Sequence, residues 1–157
     1  MQVNRRSHSR SSACGGAGAA PVGIEDSVRW FVSDALRARL PKAALVSANS
    51  VVRALRMIKT PAELALMQHA ADITIAALRQ THAAVRLGMT SGEIGAAFER
   101  EVAALGGRDT WSLVLIDEAA ALPHGSGRPQ VVKRGSIVLM DCGCAVHGYQ
   151  SDISRTF

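Results

Sequence analysis

The sequence predicts an α+β fold in which two long helices pack on a mostly antiparallel sheet. Two capping-box signals, Thr60-Pro-Ala-Glu63 and Thr90-Ser-Gly-Glu93, each precede apolar residues spaced three and four apart. Apolar and β-branched segments follow at residues 111–116, 136–140 and 149–157, and these are typical of strands.

The apolar spacing also predicts the buried face of each helix. The first long helix should bury Leu64, Met67, Ala71, Ile75, Leu78 and Val85, and should end at Gly88. The second should bury Ile94, Ala97, Phe98, Val102 and Leu105. Both helices are expected to cover the same face of the sheet. Upstream, a helix is predicted over residues 24–40, with Val28, Phe31, Val32, Ala35 and Leu36 on one face. A short strand at 45–46 and a helical turn at 49–56 follow it.

More than half of the net positive charge comes from the start of the chain. Residues 1–21 contain three Arg and no acidic residue, whereas the remaining residues carry 15 basic and 13 acidic side chains. We therefore expect residues 1–21 to form a disordered basic tail, and we expect no specific nucleic-acid partner. A basic nucleic-acid-binding protein is an alternative that depends on the tail alone.

The composition also indicates where in the cell the protein is located. No apolar run reaches the ~20 residues that a membrane span needs, so no membrane association is expected. Three cysteines, Cys14, Cys142 and Cys144, favour reduced thiols in a cytoplasmic protein over a disulfide framework. Cys142 and Cys144 are predicted to be small buried packing residues, and a Cys-x-Cys zinc half-site is the alternative.

Two carboxylates near the end of the chain are the candidate site. A hairpin whose tip is Val146-His147 would place Asp141 directly opposite Asp152, with Cβ atoms roughly 4.5–5.5 Å apart. The resulting repulsion could be offset by a shared proton, a nearby Arg or a cation. Arg155 lies three residues further along the strand and should start on the opposite face, which favours a metal ion. Alternatively, Asp141 ends a strand and Asp152 is a solvated surface residue.

The segments around these residues resemble the first metal-binding hairpin of the pita-bread metallopeptidases, which include methionine aminopeptidase, aminopeptidase P, prolidase and creatinase. The resemblance rests on Val138-Leu-Met-Asp141-Cys-Gly143 and Gly148-Tyr-Gln-Ser-Asp152-Ile-Ser-Arg-Thr156, and the Xaa-Pro-cleaving branch is the most similar. It implies that residues 60–157 form the N-terminal half of a pita-bread (creatinase/aminopeptidase) catalytic domain. Residues 22–59 would then be a remnant of the N-terminal creatinase-like domain and its linker, so the chain would be a fragment.

The resemblance also implies roles for individual residues. Asp141 would hold one of two divalent metal ions (Mn, Co or Zn), and Asp152 would bridge them. His124, in the Pro-His motif, would hydrogen-bond the scissile-bond region of the substrate without binding metal. Tyr149 and Arg155 would orient ligands, with strand packing or a surface ion pair as the alternative. The family usually has Gly and Asn where this chain has Asp117 and Glu118.

The activity that follows from the resemblance is metal-dependent hydrolysis of small peptides with Pro at the second position, in a homodimer. The family's remaining ligands, one His and two Glu, come from the later half of the fold, so residues 1–157 alone are expected to be inactive. A dipeptidase, an aminopeptidase for longer substrates and a creatinase-type hydrolase all fit the resemblance. A non-catalytic pita-bread binding module, or pseudoenzyme, is the competing function.

Overall fold

Residues 20–157 are described by a computed structural model, in which the chain divides into one unit ending at Ile58 and a second unit, Lys59–Phe157. The predicted tail falls almost entirely in residues 1–19, outside the described residues. Within residues 20–157, none of the helices combines the length and apolar character that crossing a membrane requires.

The first unit pairs two short parallel strands, β1 (Val22–Ile24) and β2 (Leu45–Ser47), with the helices α1 (Trp30–Arg39) and α2 (Asn49–Met57). The predicted strand and the helix at 49–56 are confirmed. The predicted helix start at residue 24 is wrong, because Ile24 pairs with Ser47 in the sheet. The predicted apolar face is also wrong: Phe31 is 65% exposed, and Ser33 is the buried residue of α1.

The second unit contains two helices, a 3₁₀ helix and four strands. The helices are α3 (Pro61–Ala84) and α4 (Ser91–Ala104), and the 3₁₀ helix spans Asp117–Ala121. The strands are β3 (Arg108–Ile116), β4 (Val138–Val146), β5 (Tyr149–Gln150) and β6 (Ile153–Thr156). Strand β4 is antiparallel to β3 on one side and to β5 and β6 on the other. Two helices therefore pack on an antiparallel sheet, as predicted.

Both predicted capping boxes are present. The Thr60 hydroxyl accepts a hydrogen bond from Glu63 N, and the Glu63 carboxylate accepts one from Thr60 N at 2.6 Å. Thr90 and Glu93 repeat this arrangement at the start of α4. These backbone donors hold the pKa of both glutamates below the usual value of 4.5. Each cap depends on residues within one helical turn, which is why local sequence predicts it.

The lowered pKa values predict how stability changes with pH. A carboxylate whose folded-state pKa lies below its unfolded value stabilises the fold above the unfolded pKa, and that contribution is lost as pH falls through the folded value. The urea concentration at the unfolding midpoint should therefore decrease as the pH is lowered from about 6 to about 3. In the double variant Glu63→Gln/Glu93→Gln, which keeps an oxygen acceptor at each cap, that fall should be smaller. An identical pH dependence in the variant and the wild type would contradict this assignment.

The buried face of α3 agrees with the prediction only in part. Leu78 is buried as predicted and Val85 packs against the core, but Leu64 is 54% exposed. The buried residues of the helix are Ala70, Ile73, Thr74, Ala77, Leu78 and Thr81. Small and hydroxyl-bearing residues let α3 approach the sheet closely, and the hydrophobic spacing alone did not reveal this face. The helix also ends at Ala84 rather than Gly88, because Val85 has extended dihedral angles. In α4 the predicted face is confirmed except for Leu105, which is 38% exposed at the C-cap.

The core lies between the two helices and one face of the sheet, hereafter the helix-covered face. Cys142 and Cys144 point into this core and are 0% and 1% exposed, as predicted. Burial, with the nearby charges of Asp141 and Asp152, raises the pKa of Cys142 to about 12. Residues 20–157 contain no cluster of three His, Cys, Asp or Glu that would complete a zinc site with these thiols.

Candidate metal centre

The site is built on the hairpin that joins β4 to β5. Its tip is His147-Gly148, not Val146-His147, because Val146 pairs with Tyr149 and Ala145 with Gln150. Both tip residues have positive φ, 49° and 85°, as a tight two-residue hairpin turn requires. Gly148 adopts this conformation without strain, so the glycine determines the position of the turn.

This turn changes the pairing of the two carboxylates. Asp141 lies opposite Ser154, and the predicted direct pairing of Asp141 with Asp152 is wrong. Asp152 lies two residues before Ser154, so it is the diagonal neighbour of Asp141 on the same face of the sheet, hereafter the carboxylate face. In a regular sheet, diagonal neighbours have Cα atoms roughly 7–8 Å apart. The diagonal arrangement therefore reduces the repulsion and leaves space between the two groups.

The hydrogen bonds of the two carboxylates differ. Ser154 donates its hydroxyl to Asp141 Oδ1 at 2.5 Å, which fixes the orientation of that carboxylate. Asp152 is exposed, and its carboxylate has no hydrogen-bond or ion-pair partner within the described part of the chain. Sequence reasoning missed Ser154, although its position two residues after Asp152 places it on the same face of a strand.

Arg155 and Tyr149 lie on the helix-covered face. Arg155 pairs with the buried Met140 and donates to its neighbour's carbonyl, Ser154 O, at 2.7 Å, so the predicted face is confirmed. Tyr149 donates its hydroxyl to Glu63 Oε1 at 2.8 Å and thereby links the hairpin to the first turn of α3. This hydrogen bond raises the pKa of Tyr149 and contributes to the lowered pKa of Glu63. Neither side chain hydrogen-bonds Asp141 or Asp152.

His124 is exposed in the loop that follows the 3₁₀ helix. The next residue, Gly125, packs so closely on Leu115 that an added Cβ would lie 2.4 Å from Leu115 Cδ2. Leu115 pairs with Leu139, which is two residues from Asp141 on the same strand face. The structure therefore brings the His124 loop to the carboxylate face, although His124 forms no hydrogen bond with either Asp.

The backbone at Asp117 adopts a conformation that most residues avoid. Its φ is 54°, in the left-handed region that favours glycine, which is the residue that the resemblance leads us to expect there. The Asp117 carboxylate accepts hydrogen bonds from Ser136 Oγ at 2.9 Å and from Ile137 N at 3.0 Å. Asp is among the residues that tolerate this conformation when such local bonds form, so the turn is retained without glycine.

Close packing explains why a glycine, Gly143, stands two residues after Asp141. A Cβ at this position would lie 2.0 Å from the Ser151 carbonyl oxygen and 2.7 Å from Trp111 Nε1. Only glycine lets these groups approach the strand so closely. The motif that surrounds Asp141 therefore encodes a packing requirement as well as a carboxylate.

The donor set fits a hard divalent cation. Two carboxylates share one face, no Lys, Arg or His forms an ion pair with them in residues 20–157, and carboxylate oxygens are the donors that such cations prefer. Because these residues contain no cluster of three potential ligands, the pair can supply only part of a coordination shell.

Comparisons with known proteins agree with this geometry. The model of metallopeptidase family M24 matches residues 65–157. The chain is 33% identical over 135 residues to the putative dipeptidase YkvY of Bacillus subtilis. The aligned region covers 85% of this chain and 37% of that protein. The Xaa-Pro dipeptidase from Bacillus anthracis superposes with a TM-score of 0.79 at 28% identity, over 88% of this chain and 39% of that one.

The prolidase from Pyrococcus furiosus has the same fold, with a TM-score of 0.81 at 24% identity over 88% of this chain and 44% of that one. The chain thus spans less than half the length of each of these three proteins. The predicted α+β fold, part of a pita-bread domain with helices on a mostly antiparallel sheet, is confirmed. From the match over residues 65–157 and the shared fold, we conclude that this chain belongs to metallopeptidase family M24, whose members use divalent metal ions.

Proposed function

We propose that this chain supplies Asp141 and Asp152 to a dinuclear metal centre that hydrolyses Xaa-Pro bonds. The observation that carries the proposal is that these two carboxylates lie diagonally on one face of a hairpin with no basic residue paired to them. The printed names of similar proteins, among them Xaa-Pro aminopeptidase from Escherichia coli and Xaa-Pro dipeptidase from Pyrococcus furiosus, support this substrate class.

The two carboxylates have different surroundings: Asp141 accepts a hydrogen bond from Ser154, and Asp152 is exposed. Asp141 would hold one metal ion, and the family resemblance assigns Asp152 to both ions of the centre. Manganese, cobalt and zinc are the candidate metals. When bound, divalent ions lower the pKa of a shared water and polarise the scissile carbonyl.

We further propose that His124 hydrogen-bonds the scissile-bond region of the peptide. Its loop packs on the carboxylate face through Gly125 and Leu115, and the imidazole is exposed and therefore accessible to a substrate. A positioned imidazole can donate to an oxyanion that develops during hydrolysis. Tyr149 and Arg155 would act on the site only indirectly, by holding the hairpin against α3 and β4.

The division of the chain at Ile58 supports the proposed domain organisation. Residues 60–157 would form the first half of the catalytic domain, and residues 22–59 would belong to the preceding domain and linker. A homodimer and a cytoplasmic location are also proposed. Sedimentation velocity of the purified chain tests the oligomer, and a monomer at all concentrations would argue against it for these residues.

A polypeptide of residues 1–157 alone should lack peptidase activity, because residues 20–157 contain no cluster of three potential ligands and two carboxylates would leave most coordination positions to water. We expect no hydrolysis of Xaa-Pro dipeptides by the purified 157-residue chain in the presence of Mn²⁺, measured by release of free proline. Proline release above a metal-free control would contradict this prediction.

The locus should also be sequenced beyond the Phe157 codon. If a longer reading frame supplies a His and two Glu, its product should cleave Xaa-Pro dipeptides, and Asp152→Ala should abolish cleavage. Unchanged cleavage in Asp152→Ala would reject the proposed site and favour a non-catalytic role for the hairpin.

A further inference from the structure

Asp152 lies in a short interruption of the edge strand that runs beside β4. Strand β5 ends at Gln150 and β6 begins at Ile153, so Ser151 and Asp152 lie between two strands that pair with β4 in the same register. That register places Ser151 opposite Cys144. Val138 and Phe157 belong to the same register and exchange both of their backbone hydrogen bonds. Such pairs recur at every second residue of an antiparallel ladder, and Cys144 lies an even number of residues after Val138. In a regular ladder, Cys144 and Ser151 would therefore also exchange both bonds.

Only one of these two backbone bonds is present. Ser151 N donates to Cys144 O at 2.9 Å, but Cys144 N donates to the side-chain hydroxyl of Ser151, at 3.1 Å, instead of to its carbonyl. The Ser151 carbonyl lies against Gly143, where an added Cβ would be 2.0 Å from the oxygen. The serine hydroxyl therefore replaces its own carbonyl in the ladder, and the carbonyl turns toward the carboxylate face.

The replacement is held in place from α3. The Ser151 hydroxyl is 2.7 Å from Thr74 Oγ1, which is also 3.4 Å from Cys144 Sγ. Thr74 is 0% exposed and Ser151 is 7% exposed, so neither hydroxyl has bulk water as an alternative partner. A buried network in which every hydroxyl is satisfied restricts its members to one geometry.

We infer that Thr74 and Ser151 are positioning residues for Asp152. The peptide unit that contains the Ser151 carbonyl also contains the Asp152 N–H, so the orientation of that peptide fixes where the Asp152 side chain leaves the strand. Thr74 holds the Ser151 hydroxyl, the hydroxyl occupies the place of the carbonyl, and Gly143 leaves space for the displaced oxygen. This inference rests on the proposed function of Asp152 as a metal ligand.

The test uses the full 157-residue chain and compares Mn²⁺ affinity, measured by electron paramagnetic resonance of free Mn²⁺, with the urea unfolding midpoint. Thr74→Val removes the hydroxyl with little change in shape and should weaken Mn²⁺ binding by about tenfold or more, as loss of residues that orient metal ligands typically does. Thr74→Ser keeps the hydroxyl and should restore the affinity.

Thr81→Val is the matched control. Thr81 lies on the same helix and is 1% exposed, but its hydroxyl has no hydrogen-bond partner among residues 20–157. The same substitution there should leave Mn²⁺ affinity unchanged. Without added metal, the Asp152 amide resonance should shift in Thr74→Val and stay in place in Thr81→Val. If Thr74→Val does not fold, Ser151→Ala removes the same hydrogen bond between hydroxyl groups. It should likewise weaken Mn²⁺ binding and shift the Asp152 amide resonance.

The outcomes separate the inference from the proposed function. Equal Mn²⁺ affinity in Thr74→Val and wild type, with weaker binding in Asp152→Asn, would overturn the inference and leave the metal site standing. Equal affinity in Asp152→Asn and wild type would overturn the metal site and the inference together. A loss in Thr74→Val that Thr74→Ser does not restore would identify a packing effect and would also overturn the inference.

Discussion

Replacing Gly143 by alanine is expected to destabilise the chain by about 3 kcal/mol, the upper end of what overpacking typically costs. The added methyl group would lie 2.0 Å from the Ser151 carbonyl oxygen and 2.9 Å from its carbonyl carbon, which are backbone atoms and cannot rotate away. The strand segment at Ser151 and Asp152 would have to move away from β4. The measurement is the urea midpoint of the 157-residue chain, followed by circular dichroism.

Gly127→Ala is the control for this substitution. No atom lies within 4 Å of a Cβ added at Gly127, and its φ is not in the left-handed region. A surface change of this kind should alter the stability by no more than about 0.5 kcal/mol. If Gly143→Ala unfolded at the same urea concentration as Gly127→Ala, the close approach of Ser151 to Gly143 would be wrong.

The parts of the fold that depend on neighbouring residues could be predicted from sequence. Thr60 and Thr90 start their helices through bonds to residues three positions away, and both starts are correct. The buried face of α3 was predicted only in part, because burial is decided by what the helix packs against. Leu78 is buried as predicted, whereas Thr74 and Ala77 face the core in place of Leu64. Strand β4 continues past Asp141, and Cys142 and Cys144 place their side chains in the core as Val138 and Met140 do.

The site could be predicted to the level of the face but not of the register. The alternation of Asp141 with two cysteines correctly placed the carboxylates opposite the core. A shift of one residue in the turn changed the partner of Asp141 to Ser154. Gly148, which adopts the positive φ that the turn requires, was the local signal for a tip at His147-Gly148, and the prediction did not use it. The bond between Thr74 and Ser151 joins residues 77 positions apart, and no local pattern indicates it.

Substitution of either carboxylate by the matching amide is expected to weaken divalent-metal binding strongly. Asp141→Asn and Asp152→Asn preserve size but remove the charge on which a hard cation depends, and the affinity of carboxylate sites varies over several decades with ligand charge. We expect a loss of about tenfold or more in each variant. Asp72→Asn is the control, since Asp72 is exposed on α3 and accepts a hydrogen bond from Gln68 at 2.8 Å.

The most direct test of the metal centre is therefore a Mn²⁺ titration of the 157-residue chain and these three variants, followed by the electron paramagnetic resonance signal of free Mn²⁺. Saturable binding is expected in the wild type and in Asp72→Asn, with Asp141→Asn and Asp152→Asn both showing its loss. Equal binding in all four proteins would contradict a metal centre at Asp141 and Asp152.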